Sequence, residues 1–415
     1  MLTQEQTASG NAHDLPMRVQ RIKSEYNEAE PSICIERAVA FTRSRQETGG
    51  EPLIIRQAKA FKKACEHIPV IIFRDELLVG TPGKERRSGC INPEVSWKWV
   101  EEEMDHLEDR GQDPYRITPQ QKKVLREEIF PYWRGQSLEE AYLSRLPEET
   151  AHVVVDTGIV DNDSKWRAYV GEITPDYEDV IFKQGFSGII EEAQASLSKL
   201  EPINPENIEK IQFYQAAIIT STALIRFGER YAEKAEELAE AETNAERKRE
   251  LAKIAENCRW VPANPPRTFW EAMQMVWFVQ VGRVIAENAV ALNLGRFDQY
   301  MYPYYEQDLQ QGILTPEQAQ ELIECLWIKL SEWIWAISTN TAKYFAGYCA
   351  FQNLTVGGRK RDGTDGTNDL SYMCLRATAN ARTHQPGLSV RIHPDCPEEF
   401  LLEVCRLVHL GTGFP

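Results

Sequence analysis

Nine cysteines and seven histidines are the residues of this chain whose types most often do chemistry, and their spacing argues against the commonest uses. There is no CxxC pair, no recognisable Cys/His ligand spacing and no HxxxH or HExxH arrangement, so a protein-built zinc site is not expected. An odd number of scattered cysteines reads instead as free thiols, mostly buried as small hydrophobes. A third concentration of capable side chains is LGRFDQYMYPYYEQDL at 294–309, with four tyrosines, a phenylalanine and Pro303 in the middle. Such a stretch suits core packing, a stacking platform for nucleic acid, or the wall of a buried reaction chamber.

Charge separates these uses. Lys plus Arg is 47 against 63 for Asp plus Glu, a formal net charge of −16 over 415 residues. That surface repels phosphate backbones, which removes nucleic acid as an expected partner. The opening MLTQEQTASGNAHDLP has neither a basic nor an apolar leader region. The apolar run VWFVQVGRVIAENAVALNLG is broken by Gln280, Arg283, Glu287 and Asn288, so no membrane span is expected and the setting reads as cytoplasmic.

The elements that must position any site are mostly helices. Thr118, Thr268 and Thr315 each stand three residues before Gln121, Glu271 and Gln318, the grammar of a capped helix start. Residues 207–258 read as a helical pair whose charged span, ERYAEKAEELAEAETNAERKRELAKIAE, is a solvated face. Strands are expected late, at FQNLTVGG (351–358) and GLSVRIHP (387–394), with helices between and after them. Strand, helix, strand, helix is the pattern of a parallel or mixed sheet covered by helices. One α/β domain over 17–415, helical to about 340, is expected, with 1–16 as a flexible start. The final HLGTGFP reads as a chain turning into a new element, so the sequence looks cut in mid-fold.

Several segments together resemble the glycyl radical enzymes of the pyruvate formate-lyase-like superfamily, closest to the glycerol dehydratase and choline trimethylamine-lyase branch. They are SICIERAVAFT (32–42), IIFRDELLVGTPGKER (71–86), GRFDQYMYPYYEQDL with GILTPEQAQELIECLWIKLSE, KYFAGYCAFQNLTVGG (343–358), TNDLSYMCLRA (367–377) and QPGLSVR (385–391). The resemblance covers residues 17 to 415, the first half of the family's length. It implies the first half of a ten-stranded α/β barrel, incomplete as given. It also implies C–O or C–N bond lysis on a small polar alcohol or amino alcohol by thiyl-radical hydrogen abstraction. A glycyl radical, a radical-SAM activating enzyme and a homodimer go with that reading. The family's Gly-Cys-x-Glu cysteine and radical glycine are expected beyond Pro415; Gly89-Cys90-Ile91-Asn92 mimics the motif but lacks its glutamate. Rival readings are a pyruvate formate-lyase-type acyltransferase and a non-catalytic fragment.

By the same resemblance, Gly171-Glu172 in KWRAYVGEITPDYEDVI (165–181) stands where diol dehydratases carry Gly-His and the choline lyase Gly-Asp. Glu172 is thereby a candidate to receive a hydroxyl proton or offset a quaternary ammonium, against an exposed loop acid. Arg167 is a candidate anion clamp or an ion-pair partner of Glu172 or Asp163. Asp163 and Asp161 are weaker candidates, since VDND is ordinary turn chemistry. Phe351 matches an aromatic that walls the family pocket, with core packing as its plain alternative. The tyrosine-rich stretch is assigned to scaffold.

Overall fold

The computed structural model describes residues 15–157, 174–287, 291–348 and 350–413. Its first part contains α1 (Met17–Glu28), β1 (Ser32–Cys34), α2 (Glu36–Glu47), α3 (Leu53–His67) and β2 (Ser88–Cys90). β1 and β2 pair in parallel, with Ser32 opposite Ser88 and Cys34 opposite Cys90. These two strands correct the expectation of an all-helical region up to about residue 340. Three residues are too few for a period-two pattern, so the sequence carries no signal for them.

Helices α4 (Phe182–Leu197), α5 (Ile208–Ala241) and α6 (Ala245–Trp260) follow. α5 and α6 form the expected hairpin, and Asn244 caps the second helix through the N–H groups of Glu246 and Arg247. Exposed pairs such as Lys234–Glu237, Lys253–Glu256 and Arg259–Glu236 lace its outer face.

α7 (Phe269–Glu287) is the central helix. It is apolar on nearly all sides, which only a helix buried all round sustains. Its polar residues are spent on backbone: Gln274 accepts from Val79 N–H at 2.9 Å and donates to Val79 O at 2.7 Å. Trp277 donates to Gly80 O at 3.0 Å, so the extended RDELLVG segment is riveted along α7. Beside it a buried ionic cluster joins Glu76, Arg86, Lys329 and Glu332, with Lys329–Glu332 at 3.1 Å and Arg86–Glu76 at 3.6 Å.

The tyrosine-rich stretch forms one helix, α8 (Phe297–Gln310), with Pro303 inside it. A proline there forfeits one backbone hydrogen bond, but burial of Phe297, Tyr300, Met301 and Tyr305 holds the helix through the defect. α9 (Pro316–Glu332), β3 (Asn353–Gly357), α10 (Asp369–Ala381), β4 (Gly387–Arg391) and α11 (Glu398–His409) complete the described chain. The capping boxes at Thr118 and Thr315 are formed, and Glu271 N–H donates to Thr268 Oγ1 at 3.2 Å.

β3 and β4 are parallel, Asn353 opposite Gly387 and Gly357 opposite Arg391. Residues 291–295 add a further parallel rung on the other side of β3, through Ala291 with Phe351 and Gly295 with Leu354. Leu292 and Leu294 N–H donate to Phe351 O and Asn353 O, each at 2.8 Å. The order is therefore 291–295, β3, β4. Among the described residues nothing pairs with the far side of β4, and Ile392, which follows the strand, is exposed. No helix among the described residues is long and apolar enough to cross a membrane.

Candidate active-site face

Alternation along β3 divides its side chains. Gln352, Leu354 and Val356 are buried, with Leu354 and Val356 packed against the helices, whereas Phe351, Asn353 and Thr355 lie on the open face. On β4 the matching residues are Ser389 and Arg391, set opposite Thr355 and Gly357. The Asn353 amide and the Ser389 hydroxyl meet across the two strands at 3.2 Å. This face presents an aromatic ring, an amide, two hydroxyls and a guanidinium in sequence. Such a row offers hydrogen-bond donors and acceptors beside one apolar wall.

Phe351 is 48% exposed, so it is not a core aromatic in this chain. Its ring sits 6.3 Å from Trp335 and 6.2 Å from Phe345, both near edge-on. Behind it the strand is fixed: Gln352 N–H donates to Gln385 Oε1 at 2.9 Å, Gly387 N–H donates to Gln352 O at 3.0 Å, and the Gln352 amide donates to Leu330 O. At the other end of β3, the buried Asp298 carboxylate accepts from Gly357 N–H at 2.7 Å and from the Ser371 hydroxyl at 2.5 Å. Burial pushes the Asp298 carboxyl up despite those two donors. Arg296 completes the clamp by donating to Gly357 O at 2.7 Å and Arg359 O at 2.8 Å.

Glu172, Arg167, Asp163 and Asp161 lie outside the described residues. The chain that follows them is well anchored. A Cβ placed on Gly295 would lie 3.5 Å from Thr174 Cγ2, which sets Thr174 beside the 291–295 rung. Tyr177 stacks on Tyr300 at 5.2 Å between centroids, and Asp179 pairs with Lys183 and Arg361, both at 2.6 Å. Those two cations hold the Asp179 carboxyl down to about 2.

The cysteines divide by burial. Cys34, Cys65, Cys258, Cys325 and Cys374 are buried and their thiols are pushed up; desolvation leads for four, and for Cys34 the neighbouring Cys90 thiol leads. Thiols in that state are poor nucleophiles and poor ligands. Cys90, the cysteine of the imitation motif, is buried on β2 with its sulfur 3.8 Å from Pro82 O. Asn353, Thr355, Ser389 and Arg391 were missed by sequence reasoning. Phe351 was singled out by resemblance, and two-residue alternation outward from it along the strand reaches Asn353 and Thr355.

The family described as "Pyruvate formate lyase-like" matches residues 7–415. The isethionate sulfite-lyase of Oleidesulfovibrio alaskensis is 38% identical over 408 residues, covering 96% of this chain and 49% of its own. The B12-independent glycerol dehydratase of Clostridium butyricum, solved with glycerol bound, superposes with a TM-score of 0.93 at 39% identity, over 98% of this chain and 51% of its own. A glycyl radical enzyme of Archaeoglobus fulgidus superposes at 0.87 and 36% identity, over 95% and 50%. The chain thus spans about half the length of the relatives it matches. Its helical portion and parallel strands share the fold of the first part of those α/β barrels.

Proposed function

The chain belongs to the pyruvate formate lyase-like family of glycyl radical enzymes, and we propose that it forms the N-terminal wall of a radical lyase chamber. In this reading residues 17–415 work as one unit, and a small polar alcohol loses a leaving group from the carbon next to its hydroxyl-bearing carbon. The observation that carries it is the open face of Phe351, Asn353, Thr355 and Ser389, set on parallel strands of a fold shared with a glycerol dehydratase. Isethionate and glycerol are both short hydroxylated chains, one losing sulfite and the other water. An amino alcohol as substrate rests on Glu172 alone, whereas Arg167 and Arg391 suit an anionic leaving group.

Hydrogen-atom abstraction from an unactivated carbon is the chemistry that the family's cysteine and glycyl radical supply. None of the described cysteines stands in a Gly-Cys-x-Glu setting, and in this reading the family's cysteine and radical glycine are supplied by further polypeptide. What this chain contributes is binding, orientation and a wall that excludes water. A radical-SAM activating enzyme, a homodimeric assembly and a cytoplasmic setting accompany the reading.

The test is to supply the remaining polypeptide, activate the protein without oxygen, and screen isethionate, glycerol, propane-1,2-diol and choline. Turnover of at least one is expected. A glycyl radical seen by electron paramagnetic resonance, with no turnover of any short alcohol, sinks the lyase reading and favours the acyltransferase.

A further inference from the structure

One turn and the loop facing it carry three different ligand types that the sequence reading passed over. In His393-Pro394-Asp395-Cys396 the ends are joined twice: Cys396 N–H donates to His393 O, and His393 N–H donates to Cys396 Sγ, both at 3.1 Å. The His393 ring is only 8% exposed, and its Nε2 lies 2.9 Å from Oδ1 of Asp365, which comes from the loop after β3. Asp365 is oriented in turn by Thr367, whose N–H reaches Oδ2 at 3.2 Å and whose hydroxyl reaches Oδ1 at 3.1 Å. One oxygen, one nitrogen and one sulfur thus lie within 4.8 Å of each other.

We propose that Asp365, His393 and Cys396 bind a divalent transition cation of the zinc class. Tetrahedral zinc with bonds of about 2.0–2.3 Å sets its ligand atoms roughly 3.3–3.8 Å apart. The Asp365 and His393 donors, 2.9 Å apart, must therefore separate slightly, and the Cys396 sulfur, within 4.8 Å of the other ligand atoms, settles into the same range. The mixed oxygen, nitrogen and sulfur set excludes magnesium and calcium, which take oxygen ligands. Three protein ligands leave a fourth position for water.

The protons balance. Asp395 N–H donates to His393 Nδ1 at 3.2 Å, so the neutral ring carries its proton on Nε2, shared with Asp365. On binding, Cys396 releases its thiol proton to solvent. The ring keeps one proton, which moves from Nε2 to Nδ1; the Asp395 N–H bond to Nδ1 is given up, and the Asp395 carboxylate, 4.0 Å away, closes on the new Nδ1–H as its acceptor. Asp395 is itself paired with Arg359. A carboxylate behind a metal-bound imidazole is a common way of fixing its orientation. The cation ties the loop after β3 to the link between β4 and α11, at the carboxyl ends of both strands.

The experiment uses the chain stripped of metal by a chelator and then titrated with Co2+ or Zn2+. One equivalent of Co2+ is expected to give a thiolate-to-cobalt charge-transfer band that Zn2+ abolishes. Zn2+ is expected to slow alkylation of Cys396 by iodoacetamide at least about tenfold, while the exposed Cys405 reacts at an unchanged rate. Cys396→Ser and His393→Gln should each weaken Co2+ binding about tenfold or more. Alkylation of Cys396 at the same rate with and without Zn2+ overturns the site, and that measurement needs no variant to fold. A charge-transfer band that survives in Cys396→Ser overturns it too.

Discussion

Tyr177 and Tyr300 lie stacked, 5.2 Å apart and 25° from parallel, and so join the segment after residue 173 to the tyrosine-rich helix. The Tyr300 hydroxyl also donates to Leu294 O at 2.9 Å, which ties the same ring to the 291–295 rung. One side chain therefore joins the chain after residue 173 to the 291–295 rung.

Tyr300→Ala should cost about 3–5 kcal/mol, from the loss of a buried aromatic and its cavity. Tyr300→Phe should cost about 1 kcal/mol, the value of one hydrogen bond. Urea unfolding separates the two. Equal midpoints for both variants would show that the stack contributes nothing beyond the hydroxyl.

Lys329 is buried between Glu76 and Glu332, and removing it leaves two carboxylates facing each other beside Arg86. Lys329→Met should destabilise by about 3–5 kcal/mol. The double change Lys329→Met with Glu332→Leu should recover part of that loss. A thermal melt of the set checks it, and no recovery in the double variant would contradict the assignment.

His384 gives stability a pH slope. Its ring is buried beside Arg87, which together lower it to about 4, while Tyr26 Oη lies 3.2 Å from Nδ1. A histidine lowered in the fold binds fewer protons there than in the unfolded chain between about pH 6.5 and 4. Its stabilising effect is therefore full above the unfolded value and is lost as pH falls through that window. The full effect is on the order of 3 kcal/mol. His384→Gln should flatten the denaturant midpoint against pH over that range, and an unchanged slope would remove His384 as its source.

Phe351 and Gln352 are adjacent but opposite. Phe351→Ala, on the open face, should alter stability by less than about 1 kcal/mol yet raise KM in the completed, activated protein. Gln352→Ala removes the buried amide that donates to Leu330 O, while the backbone bond to Gln385 stays, and should cost about 2 kcal/mol. If both variants lose stability alike while KM stays put, the open face is not where substrate sits.

Much of the helical frame was legible because its signals are local. A threonine at the cap and a glutamine three residues on satisfy each other within one turn, as Thr118 and Thr315 do with Gln121 and Gln318. The parallel pairing of β3 with β4 was readable for a similar reason: each strand is a short alternating run, and a helix joins them. The 291–295 rung was not, because its partners stand about sixty residues downstream and its own pattern is too short to declare a period.

By itself, then, the amino-acid sequence determined the family, the helix starts, the late strands and the net charge of −16. Each of these depends on neighbours a few residues apart or on totals. Only the tertiary structure decided that α8 runs unbroken through Pro303, that Phe351 faces outward with Asn353 and Ser389, and that Asp365 reaches His393 and Cys396. Those outcomes rest on contacts between distant segments, where burial outweighs local preference and chain order carries no record of who meets whom.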